Sequence, residues 1–348
     1  MKKQILFTPG PQSNCMSEIS SNIFHRSQEA ENIFASLKTT LQSTFNSQEV
    51  LIFPSSATET MDIFIRSLDK NNKNISLINT GYWAKNIEKI IKGNGFKVVE
   101  YQTDIFNLNE FQLEDIIKND PSDIFFSVIN ETSTGFMYDF ELIYKVLNKY
   151  NKLLFIDAVS YPVFYHLHTA KQTTCDFFLM TSAKSFNSYP GFSFIGFKNE
   201  INSYQIFKNE GYLTIELFKK FESINQMPHT YNAALLQIIK NNVEWTLKND
   251  QQIIEHVNKL RTKLINEFQK ININVYNKDF IEKSNLVVFY FNNQVNVNQL
   301  KIYLNENDIF FGADLIAKNT IRICLTISNT IEDIEKLVQL TKEFIAQL

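Results

Sequence analysis

From about residue 50 to residue 200, short continuous apolar runs alternate with stretches of helical periodicity. Val50–Phe53, Ile75–Ile78, Lys97–Tyr101, Ile124–Ile129, Leu153–Ile156, Phe177–Thr181 and Phe192–Phe197 read as strands. Between them, Glu59–Leu68, Ala84–Ile91, Leu113–Lys118 and Phe140–Tyr150 carry apolar residues at helical spacing. Such alternation predicts a mainly parallel sheet covered by helices on both faces, with its ligand outside the carboxyl ends of the strands. Farther on, residues 231–270 predict one long helix. The remainder alternates two strand-like runs, Leu286–Phe291 and Thr320–Leu325, with helices over Val297–Asn305 and Ile331–Ala346. The fold class is therefore α/β. A large domain is expected over residues 1–240 and a smaller α+β carboxy-terminal domain over 241–348.

Composition sets bounds on this picture. The chain has 348 residues, 44% of them hydrophobic and 14% aromatic, enough for a large core and more than one domain. A net charge of −3 gives no reason to expect nucleic acid or an acidic membrane as partner. No apolar run approaches the roughly 20 residues of a membrane span. Lys2 and Lys3 precede Ile5-Leu6-Phe7, which is too short for a signal-peptide core, and Pro9 follows at once. Cys15, Cys175 and Cys324 are scattered without metal spacing and read as small buried hydrophobes in a reducing, cytoplasmic setting. His166 and His168 lack metal-ligand companions, so no metal is expected.

The candidate chemistry centres on Lys184, within Met180-Thr181-Ser182-Ala183-Lys184-Ser185-Phe186. A lysine is most often a solvated surface group, but the apolar approach, the small neighbours and the Pro190-Gly191 turn weaken that reading. Upstream, Phe155-Ile156-Asp157 is a buried strand ending in an acid, separated from Lys184 by enough chain for a crossover and one more strand. An Asp and a Lys at neighbouring strand ends, with hydroxyls beside the Lys, suit pyridoxal phosphate. The Lys holds the cofactor covalently and the Asp pairs with the pyridinium nitrogen. Ser55-Ser56-Ala57-Thr58 follows a strand and opens a helix, so its amides and hydroxyls form either a phosphate cradle or an ordinary N-cap. Ser182, two residues before Lys184, points the same way on an extended segment and is a second candidate for the phosphate. Arg322, embedded in Thr320-Ile321-Arg322-Ile323-Cys324-Leu325, needs a partner. A substrate carboxylate, an internal salt bridge or outward alternation would each supply one.

Eight segments in order resemble the class V aminotransferases of the fold-type I pyridoxal phosphate enzymes. That group contains alanine–glyoxylate, serine–pyruvate and 2-aminoethylphosphonate–pyruvate aminotransferases. The likeness begins at Phe7-Thr8-Pro9-Gly10-Pro11 and His25-Arg26-Ser27. It continues through Ser55-Ser56-Ala57-Thr58, Gly81-Tyr82-Trp83, Asn130-Glu131-Thr132-Ser133-Thr134-Gly135, Asp157-Ala158-Val159-Ser160 and the Lys184 segment, and ends at Ile321-Arg322-Ile323. The resemblance implies that Ser56, Ala57, Thr58 and Ser182 hold the cofactor phosphate and that Trp83 stacks on its ring. It also implies that Thr132 and Asp157 contact the ring and that Arg322 clamps a substrate carboxylate. Thr230 resembles the family threonine that reaches a neighbouring subunit's phosphate, which implies a homodimer with shared sites. The sequence departs from the family pattern at Ser55 and Ala57, where glycines are usual. Asn130 stands where His or Gly is common, and the proline-rich continuation after Thr230 is absent.

The activity so implied is transfer of an amino group to a small oxo acid such as pyruvate or glyoxylate. The donor would be small: alanine, serine or 2-aminoethylphosphonate. A lyase or desulfurase on the same fold, and a degenerate non-catalytic binding protein, are the rival readings.

Overall fold

Apolar runs that are continuous rather than alternating belong inside a sheet with both faces covered, and these runs pair accordingly. The computed structural model describes residues 4–10, 22–162, 175–184, 186–208, 211–280, 284–292, 294–313 and 319–348. Cys15, His166, His168 and Ser185 lie outside the described residues. In chain order the first strands are β1 (Ile5–Phe7), β2 (Glu49–Phe53), β3 (Asn74–Ile78), β4 (Lys97–Tyr101), β5 (Ile124–Val128), β6 (Asn130–Glu131) and β7 (Phe136–Met137). They are followed by β8 (Leu153–Asp157), β9 (Phe177–Thr181), β10 (Ser193–Phe197), β11 (Asn274–Val275), β12 (Leu286–Tyr290), β13 (Ile309–Ala313) and β14 (Thr320–Cys324).

A seven-stranded sheet runs in the order β2-β10-β9-β8-β5-β3-β4. It is parallel except for β10, which is antiparallel to both neighbours. Alternate residues of its strands feed two separate cores. Val50, Ile52, Phe125, Leu154 and Ile156 face one side, where the helices Gln28–Phe45, Glu141–Lys149 and Ala233–Lys248 lie. Leu51, Phe53, Phe126, Phe155 and Leu179 face the other, covered by the helices Ala57–Arg66, Tyr82–Gly93 and Ile215–Glu222. Phe64 anchors the second core, with its ring centroid 4.5 Å from that of Phe155 and 4.9 Å from that of Phe177. Burying such a ring contributes about 1.5–3 kcal/mol.

The expected elements of this half are present with ends shifted by a residue or two, but two expectations need correction. The amino terminus does not belong with the large sheet of residues 1–240. Ile5, Leu6 and Phe7 pair in parallel with Ile309, Phe310 and Phe311, placing β1 at the edge of a second sheet ordered β1-β13-β14-β12-β11. Ile5 and Phe7 are buried in that sheet's own core. The long helix over 231–270 is in fact two, Ala233–Lys248 and Asp250–Gln269, separated at Asn249. Both the amide and the side-chain nitrogen of Asn249 donate to the Trp245 carbonyl, at 3.0 and 2.7 Å. The first helix packs on the large sheet and the second on the small one, so the change of core falls at Asn249 rather than at 240. Among the described residues, no helix is long and apolar enough to cross a membrane.

Candidate active site

The carboxyl ends of β2, β5, β8 and β9 open on a cavity of about 810 Å³. Gly10, Ser56, Trp83, Asn130, Asp157 and Lys184 line it, together with Ala57 and Thr58. Residues scattered along the chain converge because parallel strands all deliver their following loops to one edge of the sheet.

Lys184 follows β9 in a turn. Its Nζ donates to Ser160 Oγ at 3.1 Å and lies 5.5 Å from the centroid of the Trp83 ring. Burial pulls its pKa below the ordinary lysine value, against the opposing pull of Asp157, Cys324 and Glu131. A neutral amine with a free lone pair is what a nucleophilic or proton-carrying lysine requires. Gly10 makes this placement possible, since a Cβ there would fall 2.5 Å from Lys184 Cγ.

Asp157 ends β8 and accepts the Val159 amide at 2.9 Å. Burial raises its pKa, while the Val159 amide and the Lys184 charge oppose the rise. A carboxylate so placed gains most from a cation that reaches it directly, as a protonated ring nitrogen would.

Trp83 opens the helix Tyr82–Gly93, and its indole Nε1 donates to Thr132 Oγ1 at 2.8 Å. Glu131 fixes this corner. Its Oε2 accepts the amides of Trp83 and Ala84 at 3.1 and 3.4 Å, and its Oε1 accepts the Ser133 amide and hydroxyl at 3.0 and 2.5 Å. Burial pushes the Glu131 pKa up, and the hydrogen bonds from Ser133, Ala84 and Trp83 oppose that. A carboxylate at a helix N-terminus satisfies free amides and favours the helix dipole. Gly81 has a φ of 152°, and a Cβ on it would lie 2.7 Å from Glu131 Cγ. The loop thus pairs Glu131 internally and also orients the indole.

At the end of β2, Ser56 caps the helix Ala57–Arg66 in a capping box with Glu59. The Ser56 amide and hydroxyl donate to Glu59 Oε2 at 2.9 and 3.0 Å, and the Glu59 amide donates to Ser56 Oγ at 3.3 Å. The amides of Ala57 and Thr58 belong to the first turn and have no intrahelical acceptor, so they offer an anion two donors at the cavity wall.

Besides Thr132, which bonds the Trp83 indole, three expected site residues lie off this wall. Ser182 does not present its hydroxyl to a phosphate: it donates to the carbonyls of Tyr189 and Phe192 at 2.7 and 3.1 Å. The extended backbone assumed for it ends at Thr181, where the chain turns, so residues two apart no longer point the same way. Thr230 is exposed, beside His229. Arg322 is on β14 of the small sheet, and its Nη1 donates to the Thr132 carbonyl at 2.8 Å. Its Nε is buried without a hydrogen-bond partner among the described residues. Burial pulls its pKa down, opposed by Glu131 and Cys324.

The sequence left Asn130 unassigned, yet it lines the cavity. Its Nδ2 donates to the Ser160 carbonyl at 2.6 Å, and its Oδ1 is buried without a partner. Nothing in the residue type announced this, since Asn is abundant in the chain. Ser160 was visible only as the end of a motif. Glu59 had a usable signal, the Ser-x-x-Glu spacing of a capping box.

A sequence-family model described as aminotransferase class V matches residues 12–337. The chain belongs to the class V aminotransferase family. Enzymes of this family depend on pyridoxal phosphate. Two uncharacterized aminotransferases from strains of Helicobacter pylori are 29% and 28% identical, over 164 and 167 residues. These alignments cover 45% of this chain and 44% of each relative, so the chain spans less than half the length of the curated relatives it matches. Among solved structures, the alanine–glyoxylate aminotransferase of Nostoc sp. superposes with a TM-score of 0.83 at 16% identity, over 99% of this chain and 96% of that one. The ureidoglycine–glyoxylate aminotransferase of Bacillus subtilis gives 0.82 at 13%, over 99% and 94%. A NifS-like protein of Rickettsia africae gives 0.77 at 14%, over 99% and 100%. These likenesses establish the fold.

The residues of this class V chain fit the family's cofactor. A largely buried lysine faces an indole, a carboxylate ends the neighbouring strand, an unpartnered amide oxygen lines the cavity, and two helix-start amides remain for a phosphate.

Proposed function

We propose that the protein is a pyridoxal phosphate-dependent aminotransferase that moves an amino group from a small amino donor to a small oxo acid such as pyruvate or glyoxylate. The observation that carries this reading is the placement of the buried Lys184 amine against the Trp83 ring in the same cavity as Asp157. When bound, pyridoxal phosphate supplies an electron-withdrawing ring that takes up charge from the reacting carbon of the substrate.

The chain's own groups do the rest. Lys184 would hold the cofactor through its amine, and its Nζ, when released, would take the proton from the donor's amino-bearing carbon and carry it. Ser160 Oγ receives the amine between these duties. Asp157 would pair with the cofactor's ring nitrogen and favour its protonated form, and the Trp83 indole, tied to Thr132, would help hold the ring and exclude water. Ser56, Ala57 and Thr58 receive the phosphate through a helix N-terminus. Arg322 offers its unpartnered Nε, with the rest of its fork, to a carboxylate of the donor or acceptor. Thr230, being exposed, is available to a second copy of the chain, so we read the working unit as a cytoplasmic homodimer with shared sites.

Alanine, serine and 2-aminoethylphosphonate are the candidate donors. A desulfurase reading draws on the NifS-like fold likeness but needs a reactive thiol. Cys175 and Cys324 are buried, and burial pushes the Cys324 thiol up to about 12. Neither suits a nucleophile. Incubating the purified protein and cofactor with a donor panel plus pyruvate or glyoxylate, with products read by mass spectrometry, tests the proposal. Amino transfer is the expected result. Release of sulfide from cysteine without amino transfer would overturn it.

A further inference from the structure

Cofactor enzymes with a phosphate at a helix N-terminus use the positive end of the helix dipole and its free amides. In this chain a carboxylate already holds part of that end. Glu59 Oε2 accepts both the amide and the hydroxyl of Ser56, at 2.9 and 3.0 Å. Glu59 is exposed and lines the same cavity as Ala57, Thr58 and Lys184. Two other hydroxyls nearby are engaged: Ser55 Oγ pairs with Thr60 Oγ1 at 2.8 Å, and Ser182 Oγ donates to two carbonyls. A phosphate dianion arriving at this helix end therefore meets a like charge that is bonded to two of the donors it needs.

We propose that Glu59 is an internal competitor for the cofactor phosphate and sets its affinity. The carboxylate must either swing off Ser56 or remain as a negative neighbour. Each alternative weakens phosphate binding while leaving ring binding through Asp157, Trp83 and Lys184 intact. The inference rests on the proposed use of this cavity for pyridoxal phosphate, and it adds a residue whose effect is confined to the phosphate end.

Glu59→Gln isolates the charge, because a glutamine at this position can still close a capping box. The dissociation constants of wild type and variant are measured for pyridoxal phosphate and for pyridoxal, which lacks the phosphate, by tryptophan quenching at low salt. The variant is expected to bind pyridoxal phosphate about two- to fivefold tighter, the range for one exposed charge at a helix end. Pyridoxal affinity should not change. The difference should shrink as ionic strength rises, because the group is exposed. Glu59→Ala, which removes the charge and the cap together, provides a second reading should the glutamine variant misfold. Unchanged or weaker binding of pyridoxal phosphate by the charge-neutral variants, or an equal change for pyridoxal, would overturn the assignment. Wild-type protein that binds no pyridoxal phosphate at all would instead sink the cofactor reading itself, together with this inference.

Discussion

Gly312 and Arg322 stand directly opposite each other on β13 and β14, and the guanidinium lies across the space a side chain at 312 would fill. A Cβ at 312 would come 2.7 Å from Arg322 Cζ and 3.0 Å from its Nε. The missing side chain lets a charged fork lie on an apolar sheet and reach the Thr132 carbonyl of the other sheet's loop. Gly312→Ala should therefore move the fork and raise the Michaelis constant for the oxo acid, with cofactor affinity unchanged. Arg322→Lys keeps the charge but loses the fork and should act in the same direction. Full truncation to Ala should cost on the order of 2–5 kcal/mol of apparent acceptor binding. Steady-state kinetics on the three variants decide the matter: wild-type Michaelis constants for every acceptor would make Arg322 purely structural.

Lys184 should carry the cofactor covalently. Borohydride treatment of the cofactor-loaded protein is expected to bleach its visible colour and leave a stable adduct on the peptide containing Lys184. Peptide mapping checks this, and an adduct on Lys89 or any other lysine would move the site.

Asp157 and Lys184 are both buried charges whose pKa values move towards neutrality, the acid up and the base down, each chiefly through burial. For the acid, a raised folded pKa means that stability is full below its unfolded value and is lost as pH rises through the folded one. For the base, the unfolded chain binds the proton more readily, so its penalty persists at neutral pH and fades as pH rises towards 10.5. The cofactor-free double variant Asp157→Asn/Lys184→Met should thus be the more stable protein at pH 7, by roughly 1–4 kcal/mol. Its advantage should shrink in acid as Asp157 protonates. Asp157→Asn alone should fold yet lose most of its turnover, since a neutral partner no longer holds the ring nitrogen protonated. Calorimetry across pH and turnover at saturating cofactor test both halves. A double variant that melts below wild type would refute the stability argument.

The large sheet was legible because its strands are buried on both faces and so appear as unbroken apolar runs such as Ile124–Val128. The family motifs were legible because Asp157, Trp83 and the Lys184 turn each follow such a run. β1 was not, since three residues show no period and their partner strand lies some 300 positions away at Ile309. The break at Asn249 had a cue, an Asn-Asp pair suited to ending one helix and starting another, but the apolar spacing ran through it. Ser182 lies one residue beyond the strand, where the two-residue repeat of extended chain no longer holds. The unpartnered atoms of Asn130 and Arg322 exist only once distant segments meet, so no local pattern encodes them.

Gly81 should be the most sensitive backbone position of the site. Its φ of 152° disfavours any other residue, and an added Cβ would lie 2.7 Å from Glu131 Cγ and 2.8 Å from Ser133 Oγ. Glu131 is the group that holds the amides of Trp83 and Ala84, so pushing it aside releases the start of the helix Tyr82–Gly93. The indole bond to Thr132 would loosen with it. Gly81→Ala is expected to destabilise the fold by about 1–3 kcal/mol, the usual cost of a strained backbone position. It should also weaken cofactor binding, because the ring face loses its fixed cover. Trp83 is one of only two tryptophans, and replacing Trp245 with Phe leaves it as the single fluorescent reporter. In that background, urea unfolding measures the stability loss and acrylamide quenching measures the freedom of the indole. Unfolding at the wild-type midpoint with unchanged quenching would show that the loop absorbs the methyl group and that Glu131 does not set the position of Trp83.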